Sequence, residues 1–419
     1  MPNRGFTSLK IHVNKFACRN FEIMKYYYLT AALSLVLNIN FIGGLVAQPN
    51  FSTSNSRKID SLLAMLTTAK GIDKGYTLAA LARTTFPFSK DSSLLFSRQA
   101  IEQFKKTKSE GNLFDFLVAQ GLLFCKEREI STGLKFLWQA KAIKNDSLKT
   151  QVRLFSLYQN LGDAYWYSSI SNDSTFYYHQ QAQHFAYDID SKQKNLLALG
   201  KDFNALFGFR VKALKTFFEI EQMSQKKQNV VLAKTYFYIG QVYSEDGMPD
   251  KSLLFLKKSL ALSTKLKEAD TQADAMMGIV SCYSDRKLYD SCLAVIEEIE
   301  RFLEGNKNVE RLQQRKLFLE VSKGDCLKNL GKLDESIMAL KKAMESCEKF
   351  GNGHLYCADL QLTMAEALLK KSNLKEAEHY ALKSLELIKE SKNWQLGPAN
   401  LEVLSKIYTG LNDYKKAYY

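Results

Sequence analysis

The chain's 419 residues are enough for two or three globular domains or for one elongated solenoid. Hydrophobic residues at 46% and aromatics at 12% exclude a disordered chain, and only 5 prolines suit a mostly helical one. The net charge of +14 raises the question of nucleic acid, but the lysines are scattered in surface pairs such as Lys257–Lys258 and Lys341–Lys342, with no basic arm or helix-turn-helix, so no nucleic-acid partner is expected.

Residues 1–47 read as a leader. They hold five basic residues, Arg4, Lys10, Lys15, Arg19 and Lys25, against one acid, Glu22. An apolar run from about Leu29 to Val46 follows, then Ala47 and the polar stretch "QPNFSTSNS". This is the order of a secretory signal peptide, with a mature start near Gln48. The alternative is an uncleaved anchor through residues 26–47 with its basic end inside. "MKYYYL" at Met24 is already a complete opening, so residues 1–23 look like extra coding. The expectation is an exported, periplasmic chain or one associated with the inner membrane.

Residues 48–74 read as a linker and a capping helix, with Ile59, Leu62, Leu63 and Leu66 on one face. From residue 75 to 419 the chain repeats one unit, clearest in "YFYIGQVYSEDGMPDKSLLFLKKSLAL", Tyr236–Leu262. Tyr236, Ile239, Gly240 and Tyr243 share a helix face, Gly247 and Pro249 break the helix, and Ser252, Leu256 and Ser259 share the next face. With Tyr243 as the anchor, a small residue follows nine positions later and a large one thirteen later. Both offsets fit anchors Phe124, Asn204 (itself a weak anchor), Tyr283 and Leu327; Leu368 gives Ala377 and Ala381, Tyr408 gives Ala417, and a degenerate first unit fits near Thr84 with Ser93 and Ala100. Anchor Tyr165 needs a one-residue slip to place Ala182. The anchors are 40, 41, 39, 39, 40, 44, 41 and 40 residues apart. The last unit reads as incomplete, so Leu401, Leu404 and Tyr408 are expected to be poorly covered.

The pattern large-x2-L-G-x2-Y followed by a small/large ladder resembles the tetratricopeptide repeat. The resemblance implies an all-α, right-handed superhelical solenoid of antiparallel helix pairs with a period near 40 residues, and an inner groove lined by the first helices. Carried onto this chain, the positions two before each anchor are Leu122, Asp163, Asp202, Gln241, Ser281, Asp325, Glu366 and Lys406, with Trp166 and Tyr167 beside Asp163. Four of these eight are acidic in a basic chain. That implies a groove for a protein or peptide with a basic segment.

The chain contains no phosphate-binding loop, no strand-borne G-x-G-x-x-G and no H-E-x-x-H. His179 and His184 are expected to be solvated or packing residues, and the cysteines to be small apolar residues inside helices, with no C-x-x-C pair among them. No catalytic residue, metal or cofactor is expected. Leader, short helix and long repeats also resemble the exported sensor half of bacterial signalling proteins. The reading is therefore a non-catalytic binding scaffold or sensing module. The alternative is a detached input domain of a sensor kinase or transcriptional regulator, and a third is a cytoplasmic co-chaperone.

Overall fold

The computed structural model describes residues 53–127, 129–168, 171–224, 228–306, 315–350, 355–391 and 396–418. The leader reading lies outside them. Among the described residues there is no strand, and no helix is long and apolar enough to cross a membrane.

The described residues divide into two compact units, one up to Ala100 and one from Ile101 onward. The first contains α1 (Thr53–Thr68), α2 (Gly71–Thr85) and the start of α3 (Lys90–Lys106). Leu78, Leu81 and Ala82 are buried there, and the Ser93 hydroxyl donates to the Ala82 carbonyl at 2.7 Å.

The second unit is an α-solenoid of helix pairs. They are α4 (Glu110–Lys126) with α5 (Ile130–Lys141), α6 (Gln151–Ser168) with α7 (Asn172–His184), α8 (Ile189–Ala205) with α9 (Arg210–Met223), and α10 (Val230–Glu245) with α11 (Pro249–Lys265). They continue as α12 (Ala269–Asp285) with α13 (Tyr289–Gly305), α14 (Lys316–Asn329) with α15 (Leu333–Phe350), α16 (Leu355–Lys370) with α17 (Leu374–Ser391), and α18 (Gly397–Gly410) with α19 (Tyr414–Tyr418). Each first helix packs on its own partner and on the next first helix, and each second helix packs also on the first helix of the next pair, so stability is shared between neighbours.

The turns inside the pairs repeat as strictly as the anchors. A left-handed residue stands at Gly208, Gly247, Lys287, Gly331, Ser372 and Asn412, which are 39, 40, 44, 41 and 40 apart. In the later pairs the anchor carbonyl then accepts from the residue five on, as in Met248 N to Tyr243 O at 2.8 Å and Leu288 N to Tyr283 O at 2.9 Å. This closes the first helix with an αL turn. At Gly247 a Cβ would meet nothing within 4 Å, so it is the positive φ of 67° that favours glycine.

The small/large ladder is the contact between the two helices of a pair. A Cβ added at Gly121 would lie 2.7 Å from Leu137, at Gly200 2.3 Å from Phe217, at Gly240 2.7 Å from Leu256, and at Gly324 2.4 Å from Leu340. Small residues let the backbones approach, and the buried hydroxyls among them also satisfy carbonyls: Ser259 donates to Ala233 at 2.8 Å and Ser336 to Gly324 at 2.7 Å. That explains the Ser/Leu/Ser pattern of α11. Polar links one repeat apart join successive first helices. Arg153 clamps Asp115 through two bonds of 2.9 Å, and Asn229 donates to Gln193 at 2.8 Å.

Two expectations are corrected. Leu404 and Tyr408 are covered, at 6% and 9% exposure, because α19 folds back and Ala417 packs into the same core. Leu401 does remain 53% exposed. The cysteines among the described residues are buried as expected, but Cys347 of α15 and Cys357 of α16 are joined in a disulfide.

Candidate functional site

Two cavities open on the first-helix side of the second unit. One, of about 670 Å³, draws its lining from α4, α6, α8, α10 and α12, with Arg315 at the start of α14. The other, of about 350 Å³, is lined by α12, α14, α16 and α18. No second helix of a pair contributes to either. The repeat itself causes this: the second helices hold the small/large ladder against the core, which leaves one stripe of each first helix outward.

The larger cavity is mixed in charge. Lys126, Lys194 and Lys201 lie toward its α4–α8 end with Asp163. At the α10–α12 end Lys234 lies 3.9 Å from Glu268, and Arg315 reaches Asp274 at 2.6 Å and Asp270 at 3.5 Å. Tyr167, Phe237 and Tyr238 supply aromatic surface, and Gln159 and Asn160 supply amides. The Lys201 ammonium sits 4.5 Å from the centre of the Trp166 ring and 5.6 Å from that of Tyr238, within cation–π range. Burial works against the Lys201 charge, yet Tyr238, Asp163, Tyr167 and Asp202 together raise its pKa.

Beneath this cavity lies a charged group where the repeat elsewhere places a hydrocarbon. His179 of α7 occupies the large position of its pair, and a Cβ at Gly162 would meet its ring at 2.2 Å. The residue is 1% exposed. Its Nδ1 is 2.6 Å from Oδ2 of the fully buried Asp202, and its Nε2 is 3.5 Å from Oδ1 of Asp163. Burial opposes an imidazolium, but the two carboxylates outweigh it and push the pKa up to about 9. Burial likewise opposes ionised Asp163, and His179, Lys201 and Lys126 hold it below the usual carboxylate range. Asn195 of α8 donates to the His179 carbonyl at 2.8 Å and to Gln159 at 3.2 Å, tying α7 to α8 and α6. The site thus fixes the Asp163 carboxylate at the floor of the cavity.

The smaller cavity is acidic. Asp285, Asp325, Asp359 and Glu366 line it with Ser281, Ser284, Ser322 and Thr363, over an apolar wall that includes Phe318, Val321 and Leu362. Lys328, 5% exposed, pairs with Asp325 at 2.6 Å and with Glu366. Burial, then the like charges of Asp325 and Glu366, push Asp359 up to about 6 against the pull of Lys328. Burial also raises Asp285.

The residues picked from the sequence divide accordingly. Asp163 and Tyr167 line the larger cavity and Ser281, Asp325 and Glu366 the smaller. Asp202 does not face a groove: it is buried at 0% exposure as the partner of His179. Gln241 is exposed and lines neither cavity. Trp166 is half-buried beneath Lys201 and does not present an open ring. The positions two before the anchors do not include Lys201, Asp285 or Asp359, and the sequence pattern gives His179 only a solvated or packing role.

Residues 318–390 match the tetratricopeptide repeat family. That stretch carries tetratricopeptide repeats. Solved structures similar to it are the apo quorum sensor NprR from B. thuringiensis, at 16% identity and a TM-score of 0.56 over 80% of this chain and 93% of that one, and a Rap protein complexed with competence and sporulation factor, at 13% and 0.52 over 87% and 100%. NprR in complex with its cognate peptide NprX aligns at 13% and 0.51 over 72% and 86%. At these identities the likeness is one of repeat fold. No curated protein matches the sequence.

Proposed function

We propose that the chain is a non-catalytic scaffold that holds a peptide along the outward stripe of its first helices, with a Lys or Arg of that peptide in the acidic cavity. The observation that carries this reading is the convergence of Asp285, Asp325, Asp359 and Glu366 from three successive first helices onto one space of about 350 Å³. Lys328 compensates two of them and leaves Asp285 and Asp359 without a described ion pair. An entering ammonium or guanidinium would find hydroxyls and an apolar wall for its methylenes beside those carboxylates. The larger cavity offers aromatic faces and side-chain amides of the kind that bind peptide backbone and apolar side chains. The similar fold of NprR, solved with its cognate peptide NprX, supports the same class of partner.

Export belongs to the same proposal. The leader pattern and the Cys347–Cys357 disulfide support an oxidising compartment outside the cytoplasm. Whether the apolar run also holds the chain at a membrane is decided by the intact mass of the exported protein.

The test of binding is selection from a random dodecapeptide display library on the full chain. Retained peptides should be rich in Lys or Arg and should lose retention on an Asp285→Asn/Asp359→Asn variant. Equal retention on that variant would overturn the acidic cavity as the site. A selection that enriches nothing over a blank surface would overturn peptide binding.

A further inference from the structure

We propose that Cys292 and Cys326 form a second disulfide, a covalent staple between adjacent repeats. Cys292 is the small residue of α13, nine positions after anchor Tyr283, and Cys326 stands one before anchor Leu327 on α14. Their sulfurs are 2.8 Å apart, and both residues are 0% exposed.

The repeat geometry brings these two positions together. One junction earlier the same pair of positions holds Ser252 and Cys282, whose Oγ and Sγ are 3.0 Å apart. The small position of a second helix thus meets the position before the anchor of the next first helix, and only at the α13–α14 junction are both residues cysteine. The remaining thiols have other neighbours. Cys282 faces a hydroxyl, and Cys125 fills the space over Gly133, where an added Cβ would lie 2.2 Å from its sulfur. Cys292 also donates to the Val280 carbonyl at 3.6 Å.

The chemistry is thiol–disulfide exchange with an external disulfide, either a small molecule or a thiol oxidoreductase. The thiolate of one cysteine attacks the oxidant, forming a mixed disulfide and releasing one thiol. The second cysteine, losing its proton, displaces the other half as a second thiol. The protein gives up two electrons and two protons, and the oxidant is reduced by the same two. Because both sulfurs are buried in the folded chain, the bond closes while α13 and α14 are still coming together. Once formed it is shielded from reductant.

The test is to unfold and reduce the full chain, refold it in a mixture of oxidised and reduced glutathione, quench with acid, alkylate under denaturing conditions and map the peptides. The expected result is linkage of the Cys292 and Cys326 peptides, with Cys125 and Cys282 alkylated, so four alkylated positions among these fall to two. Recovery of Cys292 and Cys326 both alkylated beside a linked Cys347–Cys357 would overturn the proposal. A Cys292→Ser chain, which copies the Ser252–Cys282 junction, guards against scrambling. Cys326 should then be alkylated, and Cys326 linked to any other cysteine would overturn the assignment as well.

Discussion

His179 Nδ1 and Asp202 Oδ2 lie 2.6 Å apart in the interior of the solenoid, at the position where other pairs place Leu137, Phe217, Leu256 and Leu340. Together with Asp163, 3.5 Å from the other ring nitrogen, they replace a hydrocarbon residue of the ladder by an ionic group. Such a group makes stability depend on pH.

The sign follows from His179, whose folded pKa of about 9 stands above the usual 6.5. Its contribution is fully present below pH 6.5 and is lost as pH rises through 9, on the order of 3 kcal/mol in all. Urea unfolding at pH 6 and at pH 9.5 should show that loss. A midpoint unchanged between the two would mean that the ring is neutral at both.

Replacing His179 by Leu restores the apolar pattern of the repeat but strands two carboxylates. Destabilisation of about 3–5 kcal/mol is expected, with part of it recovered when Asp202→Ala is added. Denaturant midpoints of the single and double variants check this. A His179→Leu chain as stable as the parent would show that packing alone sets this position.

Gly240→Leu should cost about 1–3 kcal/mol by overpacking. Its Cβ would meet Leu256 at 2.7 Å and, less yieldingly, the Ser252 carbonyl at 3.3 Å. Thermal melting reads it as a lowered midpoint, and an unchanged melt would contradict the packing of α10 on α11.

Peptide affinity should rise with pH through about 6. Asp359 is protonated below that value, and a cation entering beside it favours its ionised form, so binding releases a proton there. Titration of a selected Lys-containing peptide at pH 5 and at pH 7.5 should show tighter binding at the higher pH. The dependence should flatten in Asp359→Asn.

The two aromatic neighbours should separate kinetically. Tyr167, 45% exposed, lines the cavity, and its change to Ala should speed dissociation by about tenfold. Trp166→Ala should have a smaller effect on dissociation, because its ring is already covered by Lys201. Surface-immobilised kinetics on both variants decide between them.

The fold was legible because the repeat is written redundantly. Gly240, Leu256 and the turn at Gly247 recur in phase, and each encodes a local necessity: close approach, a filled gap, a left-handed turn. The groove was legible only in part. The positions two before the anchors are one row of a helical stripe. Rows five, six and nine before them hold Asn160 and Tyr238, Gln159 and Phe237, and Lys234 and Asp359, all of which line cavities. Adding those rows would have found Asp359 from the sequence. The slip in the second helix after Tyr165 likewise moves the large position onto His179. Asp202 could not be told from Asp163 by offset, since its burial against His179 of α7 is set by the neighbouring repeat.

Cross-link mapping with a selected peptide carrying a benzophenone side chain tests the central claim most directly. The account predicts that the joined residues fall on the first helices, at Tyr167, Phe237, Tyr238 or Phe318, and that unlabelled peptide competes for them. Cross-links concentrated on the exposed side chains of Phe209, Val211 and Met248, or elsewhere on the second helices, would contradict it.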